Sequence, residues 1–199
     1  MELLLIRHGL PQRVENSDGT PADPSLSPNG LKQAAAMAAH LADAGIEHIV
    51  ASPLRRAHET ALPLALTTGL EIQIDGGVVE FDQQSALYIP LEELKQTDYD
   101  RWLELMQGGL EMAVDFEAFR KTVVAAIEAI IARHPGKRVA IVCHGGVINA
   151  WASHILKTPA PFIFQPDYTS INRFLAARSG ERNLVSLNEI PHATESAGF

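Results

Sequence analysis

The chain has 199 residues, 46% of them apolar, enough for one domain with a full core. A formal net charge of -8 without any basic run excludes non-specific nucleic-acid binding and attachment to an anionic membrane surface. No stretch approaches the ~20 apolar residues of a membrane span, and a single cysteine, Cys143, permits no internal disulfide and points to the cytoplasm.

Residues 3–6 form a continuous apolar run, the pattern of a strand buried on both faces, and it stops at Arg7-His8-Gly9. A polar loop follows to Asp23. Ser27 and Pro28 supply an N-cap and a first-turn proline, and Leu31, Ala34, Ala35, Ala38, Leu41 and Ala42 repeat with helical spacing up to Gly45, the expected C-cap. Residues 49–51 predict a second strand ending at Ser52-Pro53. A helix from about Leu54 carries Arg55, Arg56, His58 and Thr60, and Pro63 is expected to kink it or end it early.

Residues 72–74 predict a third, shorter strand, and 75–82 a glycine-containing loop. Residues 86–112 predict one or two irregular helices bearing Tyr88, Tyr99, Trp102 and Met106. Phe116, Phe119, Val123, Ile127, Ile130 and Ile131 mark an amphipathic helix stopped by Pro135-Gly136. Residues 139–143 predict a buried strand ending at His144-Gly145-Gly146, with a helix over 147–156. Residues 170–176 and 184–187 predict a closing hairpin.

Alternating strands and helices predict an α/β fold: a three-layer α/β/α sandwich around a mostly parallel sheet. Ligands in such sheets bind at the carboxyl ends of the strands. Arg7-His8-Gly9, Ser52-Pro53 with Arg56, and His144-Gly145-Gly146 all fall there. Two arginines and two histidines in one place make a pocket suited to a dianionic phosphate monoester, because guanidinium forks match phosphate oxygens. A neutral imidazole can attack phosphorus, and neighbouring arginines disfavour its protonated form. The leaving alkoxide needs a proton, and Glu80 and Asp82, in the loop after the third strand, are the candidates.

Three blocks stand in order along the chain: residues 5–9 (Leu-Ile-Arg-His-Gly), residues 51–61 around Arg55 and Arg56, and residues 142–146 (Val-Cys-His-Gly-Gly). Together they resemble the histidine phosphatase superfamily, the phosphoglycerate mutase-like proteins. Residues 23–34 (with Leu26, Gly30 and Gln33-Ala34) and residues 187–189 with His192 extend the resemblance over nearly the whole chain. The resemblance implies a phosphoglycerate mutase-like fold and one histidine phosphatase domain over 1–199, with a variable, substrate-covering insertion around 83–115. It implies His8 as phosphoacceptor, with Arg7, Arg56 and His144 completing the phosphate pocket, and Glu80 as proton donor ahead of Asp82.

The mutases of the family carry an acidic residue and a Trp-Asn pair after the Arg-His-Gly tripeptide. Here Leu10-Pro11-Gln12-Arg13 follows, and Glu80 is followed by Phe81-Asp82-Gln83. These departures favour hydrolysis of a small-molecule phosphate ester over mutase action, with Gln12 and Arg13 as further substrate contacts. A phosphoglycerate mutase and a non-catalytic phospholigand-binding module are the alternatives. No cofactor is implied. No histidine pair has metal-motif spacing and no cysteine cluster exists, so a metal site is discounted. The substrate and the oligomeric state, a homodimer included, stay open.

Overall fold

The computed structural model describes residues 1–104 and 115–193. Its centre is a six-stranded sheet. The chain runs through β1 (Glu2–Arg7), a two-residue strand β2 (Val14–Glu15), α1 (Pro28–Leu41), β3 (His48–Ala51), α2 (Arg55–Thr68) and β4 (Ile72–Ile74). A short 3-10 turn (Gly76–Val78), β5 (Leu87–Tyr88), α3 (Leu91–Thr97) and α4 (Tyr99–Glu104) follow. The chain continues with α5 (Phe116–Arg133), β6 (Arg138–Cys143), α6 (Gly145–Leu156), β7 (Ile171–Ala176) and β8 (Arg182–Glu189).

The strand order is β4-β3-β6-β1-β7-β8. β4, β3, β6 and β1 are mutually parallel, and β7 and β8 add an antiparallel hairpin beside β1. β1 lies inside the sheet, and Leu3, Leu4, Leu5 and Ile6 are fully buried. Period-two alternation splits them between two cores. Leu3 and Leu5 pack with Val123, Ile127, Val147 and Trp151 from α5 and α6, whereas Leu4 and Ile6 pack with Met37, Leu41, Ala61 and Leu64 from α1 and α2. The fold is thus α/β with helices on both faces of a mainly parallel sheet. Among the described residues no helix is long and apolar enough to cross a membrane.

The Ser27 hydroxyl caps α1, accepting from Gly30 N at 3.0 Å. Two sequence expectations need correction here. The helix ends at Leu41, before Gly45, which takes its positive φ of 67° in the turn beyond. Pro63 neither ends α2 nor shortens it. The helix runs on to Thr68 and closes at Gly69, φ 72°, because Ala57, Ala61 and Leu64 stay buried against the sheet and their packing offsets the missing backbone donor. In the 86–112 segment, β5 pairs antiparallel with β2 before the two short helices α3 and α4, and Met106 lies outside the described residues.

Candidate active site

β1, β3 and β6 are neighbours and parallel, so their carboxyl ends deliver His8, Ser52 and His144 to one edge of the sheet. Backbone bonds hold each exit: His8 N–H donates to Cys143 O at 3.0 Å, and Ser52 N–H to Val142 O at 3.0 Å. The turn after His8 is pressed onto α1 and α2. Gly9 N–H donates to the Thr60 hydroxyl at 2.9 Å, and that hydroxyl donates to Arg56 O at 2.6 Å. Leu10 N–H donates to Gln33 Oε1 at 2.9 Å. A Cβ on Gly30 would lie 2.1 Å from Leu10 O, so only glycine permits this approach.

His8 is buried, and its Nδ1 lies 2.8 Å from Gly9 O. A carbonyl oxygen only accepts, so Nδ1 carries the proton and Nε2 keeps the lone pair. Burial first, then the charges of Arg56 and Arg7, hold the His8 pKa well below the ordinary imidazole value. The ring is therefore neutral at physiological pH. The His144 ring lies 5.1 Å from it, centroid to centroid. His144 Nε2 is 2.8 Å from the Ser52 hydroxyl, while its buried Nδ1 has no hydrogen-bond partner among the described residues. Its pKa is also held well below the ordinary value, by burial and then by Arg56.

The two arginines are anchored differently. Arg7 donates to Pro166 O at 2.6 Å, and its guanidinium lies 3.9 Å over the Tyr168 ring. Arg56, 1% exposed, donates to Asp82 Oδ1 at 3.3 Å and lies 4.7 Å over the Tyr88 ring. Tyr168 itself is set by Thr169, whose φ of 58° is a strained value for a β-branched residue. Thr169 N–H donates to Arg7 O at 3.0 Å and to His8 O at 3.3 Å, which ties this loop to the backbone of both residues.

Glu80 is buried. Its Oε2 accepts from Gly146 N–H at 2.9 Å and its Oε1 from Phe81 N–H at 3.1 Å. Burial, reinforced by the charge of Asp82, pushes its pKa up to about 7. Asp82 is also raised by burial, against the pull of Arg56. Glu80 thus titrates where a general acid works best, while Asp82 is committed to Arg56.

A cavity of about 500 Å³ opens at this edge, with Arg7, His8, Arg56, Glu80 and Asp82 in its wall. His144, beside His8, is fully buried. Gln12 and Arg13 do not line the cavity. Gln12 bonds Leu26 O from an exposed position beside the Pro11–Leu26 bridge, and Arg13, also exposed, pairs with Glu15 and Glu93. Arg55 is exposed and pairs with Glu59. Cys143 is buried and its thiol pushed up by that burial, which keeps it inert. Among the described residues no cluster of three or more His, Cys, Asp or Glu could hold a metal ion.

Sequence reasoning missed Tyr168, Thr169 and Arg101, which lie in stretches without a motif. Tyr88 lines the cavity, whereas Tyr99 and Trp102 stack on each other at 5.5 Å.

Comparison with known proteins agrees with this geometry. The family described as histidine phosphatase superfamily (branch 1) matches residues 3–190. Phosphoserine phosphatase 1 of Hydrogenobacter thermophilus is 29% identical over 72% of this chain and 71% of its own length. Among solved structures, a phosphoserine phosphatase from Entamoeba histolytica in complex with 3-phosphoglyceric acid superposes with a TM-score of 0.72 at 24% identity, covering 96% of this chain and 98% of that one. A mycobacterial glucosyl-3-phosphoglycerate phosphatase with inorganic phosphate gives a TM-score of 0.74 at 22% identity, covering 97% and 99%. The chain belongs to the histidine phosphatase superfamily. It is an enzyme of the phosphatase kind, on a phosphoglycerate mutase-like fold.

Proposed function

We propose that this phosphatase hydrolyses a small phosphate monoester in two displacements through a phosphohistidine on His8. The observation that carries the reading is the bond between His8 Nδ1 and Gly9 O, 2.8 Å, which leaves Nε2 as the free nucleophile. In the first displacement Nε2 attacks phosphorus, the ester P–O bond breaks, and the departing alkoxide takes the proton of Glu80. In the second, a water gives a proton back to the Glu80 carboxylate and attacks phosphorus. The P–N bond then breaks, releasing phosphate and restoring His8.

Arg7 and Arg56 neutralise the equatorial oxygens, where charge gathers in the transition state. If the Ser52 hydroxyl donates to His144 Nε2, the Nδ1–H of His144 is left to donate to a phosphate oxygen. Asp82 orients Arg56. Segment 83–115 acts as the cover of a single domain, with Leu87, Tyr88, Leu94 and Arg101 contributing to the cavity wall. Its lone thiol, buried in the sheet, suits a reducing compartment, and we place the enzyme in the cytoplasm.

The test is turnover of an aryl phosphate quenched in alkaline denaturant, which preserves the P–N bond, with mass spectrometry of the protein kept at alkaline pH. A phosphate adduct on His8 and loss of turnover in His8→Ala are expected. Turnover that survives His8→Ala, or an adduct on another residue, overturns the assignment.

A further inference from the structure

We infer that the physiological substrate joins its phosphate to an apolar body of about ring size, and is neither an amino-acid phosphate nor a polyhydroxylated sugar phosphate. The inference rests on the phosphatase reading above and concerns the part of the cavity beyond the phosphate clamp. There the wall is mostly carbon, with Phe81, Leu87, Ile89, Leu94, Phe162 and Phe164. Phe81 and Phe162 meet edge to face at 6.0 Å, so two aromatic rings already stand as a wall against which a third can pack.

Two of the polar side chains of that wall, Asn149 and Ser85, are spent on the protein itself, so Gln165 and the Tyr88 hydroxyl stand against six apolar side chains. Asn149 uses both amide hydrogens, to Gly145 O at 2.9 Å and Phe164 O at 3.0 Å. Its carbonyl accepts from Ile163 N–H at 2.8 Å and Phe164 N–H at 3.3 Å. The Ser85 hydroxyl donates to Leu87 O at 2.8 Å and accepts from Leu87 N–H at 3.2 Å. A sugar bound here would surrender its water-bonded hydroxyls for too few partners, and each unpaired group is penalised.

An amino-acid phosphate fails on charge. Its ammonium needs a carboxylate away from the phosphate. The carboxylates of the wall are Glu80 and Asp82, one held by backbone donors at the reaction centre and the other paired with Arg56. The charged group further out is Arg101, of like sign to the ammonium, and its side chain makes no ion pair among the described residues.

The experiment compares primary alkyl phosphates with similar leaving groups: 2-phenylethyl phosphate, phosphoserine and glycerol 3-phosphate. In parallel, calorimetry measures binding of 2-phenylethylphosphonate and methylphosphonate, which needs no turnover. We expect kcat/KM for the phenylethyl ester at least about 10-fold above the other two, and at least about 10-fold tighter binding of the phenylethyl phosphonate. Phe162→Ala and Ile89→Ser should each erode both preferences and leave kcat/KM for ethyl phosphate within about 3-fold.

Equal or better use of phosphoserine or glycerol 3-phosphate, or equal binding of the two phosphonates, overturns the inference. Preferential phosphonate binding without hydrolysis of any ester upholds the apolar subsite and strikes the phosphatase reading instead.

Discussion

Glu80 and Gly146 are fitted to each other: Oε2 accepts the Gly146 N–H at 2.9 Å, and a Cβ at position 146 would lie 2.2 Å from Oε1. That Cβ would also meet the Phe81 ring at 2.7 Å. The second glycine after His144 is therefore a steric condition for the buried acid. The first is not, since a Cβ on Gly145 meets nothing closer than Arg7 Nε at 3.9 Å. Gly146→Ala should displace Glu80 and lower kcat by at least about 10-fold, whereas Gly145→Ala should leave it within about 3-fold. Steady-state kinetics of the two variants, with circular dichroism to confirm folding, checks the contrast.

In the proposed mechanism Glu80 serves as the acid only while protonated, and burial raises its pKa to about 7. Turnover of alkyl phosphates should fall as pH rises through that value. His8, lowered by burial and the two arginines, places the acidic limb well below the ordinary imidazole range. Glu80→Gln should reduce kcat on alkyl esters by about 10²–10⁴-fold. A 4-nitrophenyl ester, whose leaving group needs no proton, should lose far less. Equal losses on both esters would count against Glu80 as the acid.

The Thr60 hydroxyl joins two functional segments, accepting from Gly9 and donating to the Arg56 carbonyl. Thr60→Val keeps the shape and strands a buried Gly9 N–H, at a cost of about 1–3 kcal/mol in unfolding free energy. Urea unfolding measures that loss. Thr60→Ser, which keeps the oxygen, should recover most of it.

Tyr168 offers its ring to Arg7 at 3.9 Å. Removing the ring in Tyr168→Leu forfeits about 0.5–2 kcal/mol of cation–π attraction, which corresponds to roughly 2- to 30-fold weaker competitive inhibition by inorganic phosphate. Tyr168→Phe keeps the face of the ring and should stay near the wild-type inhibition constant.

Much of this was legible in the sequence because one physical rule governs each part. The double-sided burial of β1 shows as four consecutive apolar residues, and the strand ends announce Arg7, His8 and His144. The residues alone leave Glu80 and Asp82 level, and only the family resemblance puts Glu80 first. Its lead depends on burial and on Arg56 taking up Asp82, neither of which has a local signature. Gln12 and Arg13 do not reach the cavity wall, because nearness along the chain to His8 is not nearness in space. Tyr168 and Thr169 had no periodicity to mark them, and their importance comes from a strained backbone angle that only the folded chain displays. The early end expected at Pro63 does not occur because local propensity cannot see the packing that overrides it.

The position of β1 within the sheet has a kinetic meaning. Residues 7–9, at the proposed reaction centre, are made early, but β6 and β7, the strands flanking β1, come from Arg138–Cys143 and Ile171–Ala176. Neither side of β1 can zip up locally. Both pairings close loops of more than a hundred residues, and such non-local topology slows folding. The ability to turn over substrate should accordingly be among the last properties to appear on refolding, later than the helical signal, which makes enzymatic activity a clock for completion of the sheet.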